Sequence, residues 1–259
     1  MAGENMQIFE KDFQSVTKVV LGKALSNHFD YERWLLQNVA PPVEQKSAVS
    51  GKSMWTPSYP YYTDASKNAV LLDEAWVEGE KKLSMQEVEK LSVANAKNSL
   101  KKISKYSPDV MFGANVNMVK CGVYFWSSNC YMGTWMGKCK NSSYCFWPRN
   151  SEYCIGSHFT FSCKFALKCY NSVNLSRCFE VSHSSDCSDC YFCHNCQNMR
   201  DSMFCSNAKG LHYAIANRVV GQAEYDRVKK IVLGEVAAKL EKDKKLDLNI
   251  FNLGCNGHK

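Results

Sequence analysis

The sequence predicts an α+β protein with three parts. These are a helical N-terminal region with an aromatic loop over residues 1–110, a cysteine-rich parallel β-solenoid over residues 111–220, and a capping helix with a C-terminal tail over residues 221–259. Three observations carry this reading. Cys121, Cys130, Cys139, Cys145, Cys154, Cys163, Cys169, Cys178 and Cys187 follow one another in steps of nine, nine and six that restart every 24 residues. Cys190, Cys193, Cys196 and Cys205 keep the same phase, so thirteen of the fourteen cysteines lie at multiples of three from Cys121, the mark of an internal repeat. Laid out in twelves, the segment also shows a column of turn formers (Lys138, Asn150, Ser162, Asn174, Asp186, Asn198, Gly210) and an apolar column (Tyr131, Ile155, Leu167, Phe179, Tyr191, Met203).

A period of three belongs to neither a plain strand nor an α-helix. Tight corners in a narrow solenoid interrupt the two-residue alternation, so inward positions recur every third residue with twelve in each coil. Besides cysteine, that class holds mainly small or modest residues: Ser127, Gly133, Ser142, Ser151, Ser157, Thr160, Ala166, Ser172, Ser184 and Ala208. A thin core follows. The competing layout is one wide coil of 24 residues, which would bring more large aliphatic side chains inside. The narrow arrangement resembles the small cysteine-rich β-helices of insect antifreeze proteins.

Residues 1–110 read as helical. Phe9, Phe13, Val16 and Val20 recur at helical spacing, and Asp30 stands before Tyr31, Trp34 and Leu35 as an N-cap before a short helix that stops at Pro41 and Pro42. Residues 43–63 carry Trp55, Tyr59, Tyr61 and Tyr62 among Gly51, Pro57 and Pro60, a loop expected to lie across another surface. Asp64 is read as the N-cap of a helix through Val70, Leu71, Trp76 and Val77 that ends near Gly79. Ser84 and Glu87 form a capping box, the serine oxygen accepting from the third helical amide and the glutamate from the serine amide. The helix it opens is expected to continue through Val88, Leu91 and Leu100, gather Lys97, Lys101, Lys102 and Lys105 at its negative end, and cease before Pro108.

Residues 211–220 read as a strand or hairpin that closes the solenoid, since a bare terminal coil presents an unpaired edge. Gly221 leads into a helix with Tyr225, Val228, Val232, Val236 and Leu240 on one face. The tail alternates apolar and polar residues around Leu246, Leu248 and Ile250, as a strand added to the solenoid edge or to a neighbouring subunit would. Cys255 is out of phase with the ladder. The cysteine spacing, Asp201-Ser-Met-Phe-Cys-Ser-Asn, Tyr213-Ala-Ile-Ala-Asn and Glu224-Tyr225 make residues 121–242 similar to uncharacterised cysteine-rich short-repeat proteins of uncultivated bacteria and archaea, a resemblance that implies no activity.

The sharpest chemical signal is Cys187-x-x-Cys190-x-x-Cys193-x-x-Cys196, with His183 and His194 beside it. Such spacing suits thiolates around an iron–sulfur cluster or a tetrahedral zinc ion. It equally suits inward thiols packing a small-residue core, because all four share the phase of nine other cysteines. The packing reading expects no cofactor. No phosphate-binding loop, nucleophile elbow or zinc-protease motif is present, so no catalytic residue is assigned and an enzyme is not the preferred reading. The net charge of +7 is spread among acidic residues, which argues against a nucleic-acid partner, and no apolar run is long enough for a membrane span. The first residues show no secretory signal, which leads to an expected cytoplasmic or virion location with reduced thiols. Trp135, Trp147 and Phe159, twelve apart, should stack as an outer stripe that the aromatic loop covers. The expected function is structural: a rigid solenoid that self-associates as a homo-oligomer or joins a larger complex such as a viral or cellular shell. A thiol-based metal protein is the alternative.

Overall fold

The computed structural model describes residues 2–253, and Cys255 lies outside them. Parallel pairings between residues 116 and 215 join positions twelve apart, such as Cys130 with Ser142, Ala166 with Cys178 and Cys190 with Ser202. The narrow coil is therefore the repeat, and the 24-residue period is two coils. About nine coils stack into the solenoid.

From Asn117 to Ala216 every third residue is left-handed, with φ between 45° and 67°. Four such corners close each coil. Only Gly156 and Gly210 among them are glycine, and the rest include Val123, Trp135, Tyr144 and Phe192. This conformation costs an L-residue about 1–2 kcal/mol, so the coil must hold it in place.

Hydrogen bonding along the axis does so. Each corner amide donates to the coil before, as Lys138 does to the Phe125 carbonyl (2.9 Å) and Asn150 to that of Gly137 (2.9 Å). The residue ahead of each corner donates to the coil after, as Ser128 does to Cys139 (2.9 Å) and Lys140 to Ser151 (3.0 Å). The third amide of the triplet, on the inward residue, is accepted inside the core by the inward side chain one coil earlier where that side chain has an acceptor. Thus Cys139 N–H donates to Ser127 Oγ (3.0 Å), Cys163 to Ser151 (3.1 Å), Cys169 to Ser157 (3.1 Å) and Cys196 to Ser184 (3.0 Å). Sulfur serves as well, Asn217 N–H donating to Cys205 Sγ (3.4 Å) and Leu211 N–H to Met199 Sδ (3.3 Å). The hydroxyl and thiol side chains also donate to the carbonyl two residues back, from Ser127 to Phe125 (3.0 Å) and from Cys139 to Gly137 (3.3 Å). An inward residue that is small and carries both a donor and an acceptor satisfies every requirement, and serine and cysteine qualify. All thirteen ladder cysteines are buried, with free thiols.

Corners of successive coils lie one above another and interact in columns. Asn117 donates to Asn129 (3.1 Å), Asn174 to Asp186 (2.9 Å), Arg177 grips Asp189 through two bonds (2.9 and 2.6 Å), and Tyr153 stacks on Phe165 with ring centroids 4.7 Å apart. The expected turn-former column is one of these four corner columns.

The apolar column faces outward and forms a second core. Helix α1 (Ala2–Leu21) buries Phe9, Phe13, Val16 and Val20 with Tyr131, Ile155, Leu167 and Phe179, while the C-terminal helix (Gln222–Asp243) brings Tyr225, Val236 and Leu240 to Tyr191 and Met203. The chain reverses first, through an antiparallel hairpin that joins His212–Ile215 to Arg218–Val219. There Asn217 Oδ1 accepts the Ser206 amide (2.9 Å) in place of the missing next coil.

Several local expectations change. Asp30 lies inside a 3-10 turn, His28–Tyr31, ahead of α2 (Glu32–Leu35). The aromatic loop contains a hairpin of β1 (Val43–Lys46) and β2 (Ser53–Thr56), and Pro60 opens α3 (Pro60–Asp64). Asp64 therefore ends a helix, and α4 (Leu72–Glu78) is capped instead by Glu74, which accepts the Leu71 amide (3.1 Å). The Ser84–Glu87 box is present (2.8 and 3.3 Å), yet it opens only α5 (Met85–Glu89). Ser92 and Asn95 form a second cap (2.9 Å) that begins α6 (Val93–Ser99), because a side-chain oxygen competing for backbone amides breaks the longer helix. The tail is a set of turns, with Asn249 N–H bonded to Asn252 Oδ1 (2.9 Å) and Phe251 N–H to Asn249 Oδ1 (2.9 Å), so turn chemistry overrides the alternation. Leu246 and Ile250 are buried on the chain's own core.

If inward side chains satisfy inward amides, Ser157→Ala should cost about 1–3 kcal/mol by leaving the Cys169 amide without its acceptor, whereas Ser157→Cys should be close to neutral. Urea-unfolding midpoints decide this, and equal midpoints for the two variants would contradict it. Cys154→Phe should overpack the thin core at a cost of about 1–3 kcal/mol.

Candidate functional site

Cys187, Cys190, Cys193 and Cys196 are the four inward residues of a single coil, so their side chains converge from its four sides. Their side chains are neighbours in the core, Cys190 beside Cys178, Cys187 and Cys193, and Cys193 beside Cys196 and Cys205. Each sulfur also lies near the carbonyl two residues back, at 3.1 Å for Cys187, 3.3 Å for Cys190, 3.5 Å for Cys193 and 3.3 Å for Cys196.

Electrostatics divide the ladder in two. Burial pushes the Cys121, Cys139 and Cys163 thiols up to about 12 and those of Cys130, Cys154 and Cys169 well above the usual range. At the far end the sulfur contacts act the other way. The Cys190 side chain lowers Cys187, and the Cys193 side chain brings Cys196 and Cys205 down to about 7. Cys190 itself is raised, chiefly by its contact with Cys178.

His183 and His194 sit outside the coil and are exposed. Their rings are 5.3 Å apart, and His194 Nδ1 is bonded to Ser182 Oγ at 2.8 Å. Among the described residues no group of three or more Cys, His, Asp or Glu side chains is arranged to hold a metal ion. In comparisons with known proteins, no family model and no curated relative matches this chain.

The aromatic stripe forms as expected. Trp135 stacks on Trp147 (5.1 Å between centroids) and Trp147 lies against Phe159 (5.0 Å), all three half-buried. The loop reaches it through Tyr62, edge-on to Trp135 (6.5 Å), and through Tyr59 against the neighbouring Phe146 (5.3 Å). Trp55 instead lays its backbone on Gly122, where a Cβ would stand 2.1 Å from the Trp55 carbonyl oxygen. The rings stack on one another, so the stripe offers ring edges to its surroundings.

Sequence reading missed a fully buried ion pair. Lys168 and Glu180 are corner residues one coil apart, with Nζ and Oε1 separated by 3.9 Å. Lys168 also donates to the Trp34 carbonyl (2.8 Å), and Glu180 Oε2 accepts the Ile250 amide (2.9 Å). The pair thus fastens α2 and the tail to the solenoid. The signal was available: opposite charges twelve apart in one corner column. Burial lowers the Lys168 ammonium and raises the Glu180 carboxyl.

Lys168→Met should cost about 3–5 kcal/mol by leaving a buried carboxylate uncompensated, and adding Glu180→Gln should restore most of it while keeping the acceptor for Ile250. Because the Glu180 carboxyl is raised from 4.5 to about 7, its contribution to stability is full below 4.5 and is lost as pH rises through about 7. Urea midpoints measured across that window should fall less steeply for Glu180→Gln than for the natural chain.

Proposed function

We propose that this chain is a structural protein, a rigid β-solenoid that takes its place in a protein assembly, either a homo-oligomer or a larger complex of shell type. The supporting observation is the arm formed by α4, α5 and α6. It exposes Trp76 (74 %), Val77, Met85, Val88, Leu91 and Val93 (98 %), and its only buried helical residue is Glu78. Helices of seven, five and seven residues are too short to persist by propensity alone. An arm that buries so little of its own apolar surface is suited to packing against another protein. Among the described residues no helix is long and apolar enough to cross a membrane.

Sedimentation of the full-length protein at micromolar concentration tests this reading. Species larger than the monomer are expected, and Trp76→Asp should weaken the arm's contribution about ten-fold or more with an unchanged unfolding midpoint. A monomer throughout that range would overturn the proposal.

A second reading, a zinc or iron–sulfur protein using Cys187, Cys190, Cys193 and Cys196, draws on their convergence in one coil and on the lowered Cys187 and Cys196 thiols. Against it stand the carbonyl oxygens beside each sulfur, which favour S–H over the thiolate that a metal requires. Metal analysis of the purified protein together with its visible spectrum separates the readings. The structural reading expects neither stoichiometric metal nor iron–sulfur absorption.

A further inference from the structure

We infer that α4 of one copy docks in the hollow between α1 and the C-terminal helix of a second copy, seating Trp76 and Val77 on an apolar floor beneath a basic rim. This rests on the assembly reading and adds to it the surface that receives the arm, the partner and the kind of symmetry.

The arm supplies one half of the contact. Asp73, Trp76, Val77 and Glu80 recur at helical spacing, which sets them on one face. The turn is kept as far as Glu80, whose amide donates to the Val77 carbonyl (3.2 Å). All four are exposed, Trp76 at 74 % and Val77 at 65 %. Glu78, on the opposite side, is buried and bonded to Lys81 (2.6 and 2.7 Å), whereas Asp73 and Glu80 have no ion-pair partner among the described residues. Two free carboxylates therefore bracket an exposed indole and its valine neighbour.

The hollow supplies the other half. It encloses about 510 Å³ between the end of α1 and the C-terminal helix, with Leu21, Leu233 and Ala237 in its floor. Gly22 and Gly234 keep it open, since a Cβ at either would meet nothing within 4 Å. Lys23, Lys229 and Lys230 stand around it with one acid, Asp226. Lys23 is bonded to Glu241 (2.5 Å) and Lys229 lies over the Tyr191 ring (5.0 Å), which leaves Lys230 exposed and without an ion-pair partner among the described residues.

Charge selects the occupant. An acidic, apolar face meets a basic rim over an apolar floor, and opposite potentials of this kind favour the match and reject like-charged surfaces. Aromatic side chains bury about 150–250 Å² each and serve as anchors in such pockets. In one chain the two halves are apart. The hairpin that leads to the arm lies on Gly122 near the start of the solenoid, whereas the hollow stands beside Tyr191, several coils further along. The arm that fills it therefore comes from another copy. Arm and hollow are different patches, so the contact is heterologous: each copy gives an arm and receives one, and the assembly closes as a ring or runs on as an open chain.

Two variants separate the halves. Trp76→Asp disables the arm and leaves the hollow intact. Gly234→Glu sets a carboxylate in the hollow and leaves the arm intact, at a position where the added Cβ meets nothing. Glutamate is a better helix former than glycine, so the urea midpoint of Gly234→Glu should be equal to or above that of the natural chain. Sedimentation and native mass spectrometry at micromolar concentration should show each variant alone associating about ten-fold or more weakly than the natural chain. An equimolar mixture should restore one contact, the arm of Gly234→Glu in the hollow of Trp76→Asp, and stop at a one-to-one pair. If Gly234→Glu associates as the natural chain does, the hollow is overturned and the assembly reading stands. Two weakened variants whose mixture forms no pair would also overturn the arm-in-hollow contact. A natural chain that remains monomeric overturns both.

Discussion

The structure depends on one recurring hydrogen bond, from the amide of an inward residue to the inward side chain one coil earlier wherever that side chain can accept, as at Ser127, Ser151, Ser157 and Ser184. A left-handed corner at every third position turns the chain through a quarter of the coil and leaves one amide in three for the core to satisfy. A buried amide without a partner costs about 1–3 kcal/mol, so the interior is obliged to be polar as well as small. Ser127, Ser151, Ser157 and Ser184 meet the obligation with oxygen, and Cys205 and Met199 with sulfur. The abundance of cysteine is thereby explained without disulfides: a free thiol fills more volume than a hydroxyl and still both donates and accepts.

A core so thin is held by what surrounds it. The apolar column is covered by two long helices, and the Lys168–Glu180 pair ties the short helix at Trp34 and the tail at Ile250 to the same face. The corner columns add stacked rings and paired polar side chains from coil to coil, which helps Trp135, Phe192 and Arg177 remain in a conformation that none of them favours alone. The solenoid behaves as a rigid post with a dressed side, an arm of short helices and two unequal ends. At its C-terminal end the short antiparallel strand Arg218–Val219 and the Asn217 side chain stand where the next coil would begin.

Much of this was legible in the residues. The phase of the cysteines identified every inward position from 121 to 205, and the twelve-residue columns favoured the narrow coil over the 24-residue one, which the strand pairings bear out. The Ser84–Glu87 cap, the closing hairpin and the buried face of the last helix were also readable, because each is set by residues close in sequence. For the Cys187–Cys196 segment the spacing revealed convergence on one core, while the chemistry there rests on which sulfur meets which carbonyl or thiol, a matter of coil geometry.

What the sequence determined by itself is thus the inward phase, every third residue from Cys121, while strand pairing twelve residues apart decided between the narrow and the wide coil. Tertiary structure decided where local propensity is silent. Lys120, Trp147, Phe165 and Glu180 have no preference for positive φ and become corners only because the closed coil places them there. Asn249 and Asn252 turned an alternating tail into a packed turn, and Ser92 divided a helix whose apolar spacing ran on. The Lys168–Glu180 pair is stable only when α2, the tail and two coils exclude water together, and no single segment of the chain contains that condition.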